Sequence, residues 1–310
     1  SENNVSVTPP AVLHDGLREA AQTYGDRDSL LAGDARFSFR DLDRASDSLA
    51  AALSSRVAPG DRVALMTTNR PEFLIAVNAV SKCGAASVLL RPAWKQLEVS
   101  HALKITGARL AIADGAALDL LRDELGAEAV IDLDGEEYAA AVATEAEPPD
   151  VVVAASAEAV LVFSSGTTGL PKAVRHTHAS IGHGIRHWVE ALGLTDADRF
   201  QVATPPAHIL GLLNLVTATA AGATVRLHPR FDLDEILRRI SSEQMTLEMA
   251  VAPIALAMAN HPSIEDYDLS SLRFIMWGAT PVTPSVAETV TARTGVRWLP
   301  AYGASELPVI

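Results

Sequence analysis

Short apolar runs alternate with longer segments of helical periodicity along most of the chain. Arg62–Thr67 and Ala86–Leu90 are typical of buried strands, whereas Pro71–Cys83 and Lys95–Thr106 have the spacing of helices. Further strands are predicted at Arg109–Ala113, Ala159–Ser164, Ala223–Leu227, Thr246–Ala252, Arg273–Trp277 and Arg297–Tyr302. This alternation predicts an α/β fold in which mainly parallel sheets are covered by helices.

One polar, proline-containing segment, Glu145–Asp150, separates two series of strands and helices. It predicts two subdomains, 1–150 and 151–310, because domain joints favour such composition. The chain ends at Ile310 directly after a strand and an acidic loop, so we expect that the natural polypeptide continues.

Charge and composition exclude several classes of protein. The formal net charge of −13 disfavours nucleic-acid binding, which requires cations along the phosphate backbone. The first residues lack the pattern of a signal peptide, and no uncharged apolar run reaches the ~18 residues that a membrane span needs. Cys83 is the only cysteine and lies in an apolar run, so we expect a buried thiol in a cytoplasmic protein.

The segment Leu161–Val174 leads from an apolar strand into a loop rich in glycine and hydroxyl residues, with a lysine near its end. Glycines let the backbone approach an anion, hydroxyls donate hydrogen bonds, and lysine adds a charge after Pro171 has stiffened the loop. We predict that this loop binds a polyphosphate through Ser164, Ser165, Gly166, Thr167, Thr168, Gly169 and Lys172.

Two other interpretations of the loop are weaker. A P-loop requires glycine and lysine followed by serine or threonine, whereas Lys172 follows proline and precedes Ala173. A solvated turn before a helix near His178 would also be rich in these residue types.

The loop sequence SSGTTGLPK resembles the phosphate-loop signature of the adenylate-forming superfamily of acyl-CoA synthetases, luciferases and peptide-synthetase adenylation domains. Thr204–Leu212 is similar to its acyl-pocket segment, Ala301–Glu306 to its adenine and magnesium motif, and Gly60–Ala85 to its early strand and helix. The resemblance extends from about Val12 onward. It implies the large N-terminal domain of an acyl-CoA synthetase, without the mobile C-terminal lid domain.

The resemblance also assigns roles to residues. It places Tyr302 against adenine, Ser305 near the α-phosphate, and Glu306 together with Thr167 on Mg²⁺. Tyrosine offers a stacking surface and carboxylate is the hard ligand that Mg²⁺ prefers. Beyond the phosphate loop, the implied nucleotide contacts are Gly278, Ala279, Thr280, Ala301, Tyr302, Gly303 and Ser305. The implied catalytic residues are Lys172, His208, Ser305 and Glu306.

Three motif positions depart from the family pattern. Ser305 stands where threonine is usual, and Ala173 and Ala301 stand where glycine is usual. Serine keeps the hydroxyl, but the added methyl groups would crowd the backbone or nucleotide and slow the reaction.

The pocket segment indicates the class of substrate. Peptide-synthetase relatives carry an aspartate there for the substrate ammonium, whereas PPAHILGLL has no acid. An apolar fatty or aryl acid is therefore predicted, with His208 near its carboxylate. The alternative for His208 is a hydrogen-bonded histidine at the edge of the core. The predicted substrate contacts are His208, Gly211, Leu212, Trp277, Gly278 and Ala301.

A second group of histidines comprises His176, His178, His183 and His187. His183 and His187 are spaced i, i+4, which would suit a metal, but no third ligand motif accompanies them and a solvated helix start explains them.

The resemblance implies an AMP-forming acid–thiol ligase that uses ATP, Mg²⁺ and coenzyme A, or the phosphopantetheine of a carrier protein. The partners are then a small carboxylic acid and ATP or AMP. Without the lid domain, the chain itself should bind ATP weakly and turn over poorly. Two alternatives remain: a protein that binds acyl-adenylates without making them, and an aminoacyl adenylation domain.

Overall fold

The computed structural model describes residues 10–165, 169–277 and 282–300. The strands are β1 (Asp28–Ala32), β2 (Ala35–Ser38), β3 (Arg62–Met66), β4 (Ala86–Leu89), β5 (Leu110–Ala113), β6 (Val130–Asp132), β7 (Glu158–Ser164), β8 (Lys172–Thr177), β9 (Arg199–Val202), β10 (Thr224–Leu227), β11 (Leu247–Ala250), β12 (Phe274–Trp277) and β13 (Trp298–Pro300). The helices are α1 (Leu13–Tyr24), α2 (Phe39–Leu53), α3 (Pro71–Lys82), α4 (Gln96–Thr106), α5 (Ala117–Leu125), α6 (Glu136–Ala143), α7 (His178–Leu192), α8 (Ile209–Ala221), α9 (Leu233–Ser242), α10 (Ala252–Ala259) and α11 (Pro284–Thr294).

Within the described ranges, the strands form two sheets flanked by helices. One has six strands in the order β6-β5-β3-β4-β7-β8, and the other has seven in the order β13-β12-β11-β9-β10-β1-β2. All pairings are parallel except β7 with β8 and β1 with β2. The predicted α/β fold with mainly parallel sheets is confirmed.

The sheets exchange strands across the predicted joint at Glu145–Asp150. β1 and β2 precede the joint but extend the seven-stranded sheet, because β1 pairs with β10. β7 and β8 follow the joint but complete the six-stranded sheet, because β7 pairs with β4. The division into subdomains at this segment stays a prediction, and neither sheet is built from one side of it alone.

Most predicted strands are present within a residue or two of their predicted bounds. β11 ends at Ala250 rather than Ala252, because Ala252 is already the first residue of α10, which has a proline in its first turn. β6, β8, β9 and the β1–β2 pair were not predicted. The strand predicted at Arg297–Tyr302 is observed as β13, and its last two residues lie outside the described part of the chain.

The central core is filled by α3, which lies against α1, α2 and the strands. Its residues are buried along its whole length, as its continuous apolar sequence requires. Lys82 at its end is buried too, and its Nζ atom lies 2.7 Å from carboxylate oxygens of Asp43 and Asp47. Cys83 is buried as predicted, and burial raises the pKa of its thiol to about 11. None of the helices in the described ranges has the length and apolar character that crossing a membrane requires.

Asn69 joins the two sheets at the ends of their strands. It follows β3 and is buried, and its Nδ2 donates to the carbonyl oxygens of Val202 at 2.8 Å and His228 at 3.0 Å. Those carbonyls lie at the carboxyl ends of β9 and β10. The carboxyl edges of both sheets therefore meet, as they do around the ligand crevices of open α/β folds.

On the other face of the seven-stranded sheet, Glu248 of β11 is buried under α9. Its Oε2 accepts a hydrogen bond from Nε2 of Gln201 at 3.0 Å, and the Gln201 Oε1 accepts one from the His228 ring at 2.6 Å. Burial raises the pKa of Glu248 to about 8. The carboxyl group is therefore mainly protonated at neutral pH.

We predict that Glu248→Gln stabilises the protein increasingly as pH rises from 5 to 8. Over this interval the unfolded glutamate ionises while the native one keeps its proton, so the native state loses stability, by at most about 1.4 kcal/mol per pH unit. Glutamine keeps the acceptor for Gln201 and removes this linkage. Urea unfolding at pH 5, 6, 7 and 8 measures the difference, with Glu190→Gln as the control because Glu190 is exposed on α7. Parallel pH profiles for wild type and Glu248→Gln would contradict the prediction.

Candidate functional site

The predicted phosphate loop is closed at its ends by an antiparallel pair of strands. β7 ends at Ser164 and β8 begins at Lys172, and these two residues are partners in the register. Ser165 and Lys172 are exposed, so their hydroxyl and ammonium groups reach solvent at the carboxyl edge of the sheet. Gly169 has φ of 154°, and a Cβ added there would meet no atom within 4 Å, so its backbone conformation, rather than crowding, favours glycine.

His208 belongs to the other sheet. It lies in the loop that follows β9 of the seven-stranded sheet and leads into α8. It is the N-cap residue of α8 and is exposed. The atoms packed around its ring lower its pKa by desolvation, and the positive charge of Arg91 lowers it further. A neutral imidazole is therefore the dominant form at neutral pH, and both the substrate-positioning role of His208 and the alternative of a hydrogen-bonded histidine at the edge of the core stay predictions.

Arg91 is a site residue that the sequence analysis missed. It follows β4 and is half-buried, and its Nη2 donates to the carbonyl oxygen of Phe163 at 2.8 Å, next to Ser164. Its Nε is buried and has no hydrogen-bond partner in the part of the chain that the structure describes. No carboxylate of the described residues lies within ion-pair distance of Arg91 or Lys172. Two cations that have no acidic partner among the described residues thus flank the loop.

This arrangement agrees with what comparison with known proteins finds. A model of the AMP-binding enzyme family matches residues 17–310. The chain belongs to this family.

Curated relatives of this AMP-binding enzyme include CoA ligases. The chain is 30% identical over 298 residues to 4-coumarate–CoA ligase 1 of Petroselinum crispum, and 32% identical over 291 residues to 2-succinylbenzoate–CoA ligase of Bacillus licheniformis. The alignments cover 91% and 94% of this chain but 55% and 59% of those proteins. The chain therefore spans somewhat more than half the length of these relatives.

Solved structures support the same fold. The N-terminal domain of FACL13 from Mycobacterium tuberculosis has a TM-score of 0.89 over 96% of this chain and 76% of that one, at 23% identity. O-succinylbenzoate coenzyme A synthetase (MenE) of Bacillus subtilis, solved with AMP, has a TM-score of 0.83 over 97% of this chain and 60% of that one, at 27% identity. The predicted fold of an acyl-CoA synthetase N-terminal domain is confirmed.

Two residues of the acyl-pocket segment are buried in this AMP-binding enzyme. Leu212 is fully buried in the main core, and Gly211 faces the preceding loop rather than an open cavity. A Cβ on Gly211 would lie 2.4 Å from the carbonyl oxygen of Pro205. The structure thus gives Gly211 a packing role, and the assignment of both residues to substrate contact stays a prediction.

A narrow apolar crevice lies between α8 and the near face of the seven-stranded sheet. Trp277, a predicted substrate contact, ends β12 and is half-buried, with its ring 5.5 Å from that of Trp298 between centroids. Asn214 of α8 reaches into the crevice, and its Nδ2 lies 3.6 Å from the Met249 sulfur. The residues that line it are Leu192, Phe200, Asn214, Leu247, Glu248, Met249, Phe274 and Met276.

Several predicted site residues lie outside the described ranges. They comprise the middle of the phosphate loop, the GAT segment after β12 and the adenine motif, namely Gly166, Thr167, Thr168, Gly278, Ala279, Thr280, Ala301, Tyr302, Gly303, Ser305 and Glu306. Their roles stay predictions. The elements that lead into them, β7, β12 and β13, all end at the shared carboxyl edges.

The histidine group is divided by the fold. His183 and His187 are exposed on α7, whereas His176 and His178 are buried, and the His178 Nδ1 accepts a hydrogen bond from the Leu13 amide at 2.9 Å. The described residues contain no cluster of three or more ligating side chains suited to a metal ion.

We predict that Arg91→Met raises the pKa of His208 towards its ordinary value. The substitution removes the nearby positive charge, which opposes protonation of the imidazole. Arg91→Lys keeps a charge and is the matched control, for which the pKa should stay low. NMR titration of the His208 ring, assigned with a His208→Asn variant, gives the answer. Superimposable titration curves for wild type and Arg91→Met would refute it.

We also predict that Gly211→Ala destabilises the protein. Alanine normally favours a helix by up to about 1 kcal/mol over glycine, but overpacking against the Pro205 carbonyl costs about 1–3 kcal/mol, so the loss prevails. Gly16→Ala in α1 is the control, because its Cβ would meet only Pro10 at 3.8 Å. Chemical denaturation should show a lower unfolding free energy for Gly211→Ala only. A Gly211→Ala variant as stable as wild type would disprove the packing role.

Proposed function

We propose that this AMP-binding enzyme activates an amine-free carboxylic acid with MgATP, forming an acyl-AMP and releasing pyrophosphate. The observation that carries the proposal is the register pair of Ser164 and Lys172, which closes the phosphate loop at the edge where Arg91 and His208 also lie. Hydroxyl donors, unpaired cations and a neutral imidazole are the groups that adenylation requires at one place.

Lys172 supplies positive charge to the polyphosphate. Its ammonium is exposed at the end of the loop and has no carboxylate partner within the described ranges. The hydroxyls of Ser164 and Ser165 stand at the start of the same loop. Mg²⁺, for which Thr167 and Glu306 are the proposed ligands, would neutralise further phosphate charge when bound.

His208 orients the acid in this proposal. A carboxylate oxygen attacks the α-phosphorus of ATP, the bond to the pyrophosphate oxygen breaks, and a mixed anhydride with AMP results. The neutral imidazole donates a hydrogen bond to the carboxylate without forming a full ion pair, so the oxygen remains a nucleophile.

The surroundings of the crevice favour a substrate without an ammonium group. Its lining is mainly apolar, and the acid that belongs to it, Glu248, hydrogen-bonds Gln201 on the other face of the sheet. The named relatives act on 4-coumarate and 2-succinylbenzoate. We therefore propose a fatty or aryl acid as the substrate.

The thioester step is also proposed for the whole protein. Coenzyme A, or the phosphopantetheine thiol of a carrier protein, would attack the acyl carbonyl and displace AMP. The CoA-ligase names of the relatives support coenzyme A as the acceptor.

We predict that Lys172→Met lowers ATP–pyrophosphate exchange about 100-fold or more, as removal of one donor to developing charge commonly does. Arg44→Met is the control, because Arg44 is also an exposed cation but lies on α2, which packs against α1, α3 and α6. Exchange is measured on the intact protein with fatty acids, aryl acids and amino acids. Folding is checked by thermal unfolding.

Three results would contradict the proposal. Exchange with amino acids alone would indicate an aminoacyl adenylation domain. Tight binding of an acyl-adenylate without any exchange would indicate a protein that binds the product without forming it. Unchanged exchange in Lys172→Met would remove the loop from the mechanism.

A further inference from the structure

We propose that His101 is a positioning residue for the phosphate loop, which fixes the peptide that leads into Lys172. This inference rests on the proposed function. His101 lies on α4, and its Nε2 is 2.8 Å from the carbonyl oxygen of Pro171, 70 residues away along the chain. Because a carbonyl oxygen only accepts, Nε2 carries the hydrogen.

The contact is placed where the loop has least support. β8 is an edge strand of the six-stranded sheet. Its first residue, Lys172, therefore has a strand partner on one side only, Ser164 of β7. Edge strands and loop ends open more readily than central strands. A hydrogen bond from α4 at this point therefore restrains a segment that the sheet alone holds weakly.

Arg91 makes the matching contact at the start of the loop. Its Nη2 donates to the carbonyl of Phe163, which precedes Ser164, and His101 donates to the carbonyl of Pro171, which precedes Lys172. The residues between Phe163 and Pro171 are thus held at both ends by side chains from one connection, the loop and helix that follow β4.

A purely structural role explains the His101 contact less well. Pro171 is only half-buried, so water would satisfy its carbonyl if the histidine were replaced. The carbonyl of Pro171 and the amide of Lys172 belong to one planar peptide, and fixing that plane sets the direction in which Lys172 leaves the strand. The main consequence of the bond is therefore the orientation of the cation.

The test compares His101→Phe, which keeps a ring but removes the donor, with His101→Gln, which keeps an N–H donor. Titration calorimetry on the full chain measures the dissociation constants of MgATP and AMP. We expect His101→Phe to weaken MgATP binding about five- to tenfold, the usual effect of one lost hydrogen bond, and to change AMP binding less than about twofold. His101→Gln should restore MgATP binding to within about twofold of wild type. His183→Phe is the control, because His183 is exposed on α7.

Hydrogen exchange provides a second measurement that needs no nucleotide. The amides at the start of β8 should exchange faster in His101→Phe than in wild type, while those in the middle of β7 should not change. Equal loss of MgATP and AMP affinity together with a lower melting temperature would show a structural role only and overturn the inference. Unchanged MgATP affinity would also overturn it while leaving the proposed function intact. Absence of MgATP binding in wild type would overturn both.

Discussion

The antiparallel pairing of β7 with β8 is the interaction on which the candidate site depends. β7 is fixed from its other side by parallel pairing with β4, so the end of β7 lies beside the residues that follow β4. The register then places Lys172 opposite Ser164. A shift of one residue would turn Lys172 to the other face of the sheet, because side chains alternate along a strand. The position of the cation is therefore a consequence of strand pairing.

The carboxyl edges of the two sheets are buried against each other. This contact brings His208 to the edge where the predicted phosphate loop lies. Parallel strands deliver their following loops to one edge, and Asn69 holds the edge of the six-stranded sheet against the ends of β9 and β10. Because the Asn69 amide is buried, loss of either carbonyl partner would leave a polar group unsatisfied in the interior. The loop that carries His208 follows β9, so the same contact limits how far His208 can move from the phosphate loop.

Local sequence signals predicted the parts of the fold that they control. Continuous apolar runs identified the buried strands β3, β4 and β5 and the fully buried α3. β8 was missed because its residues, KAVRHT, are mostly polar and partly exposed, as an edge strand allows. Arg91 was missed because it has no motif of its own among 25 lysines and arginines, and its importance appears only when β4 and β7 pair. The role of Gly211 likewise depends on the path of the loop before α8.

Net charge disfavours nucleic acids as a class of partner but says little about the site itself. An acidic protein with a formal charge of −13 still presents two cations without carboxylate partners at one edge of the described structure, Arg91 and Lys172. Local fields of this kind act over a few ångströms in a partly desolvated site, whereas the charges of distant surface residues are screened over about 8 Å at physiological salt. A polyphosphate at this edge would therefore meet the positive potential of Arg91 and Lys172 rather than the negative potential of the whole protein. That difference in range is the physical reason why the proposed site would favour a small anion over a long nucleic-acid backbone.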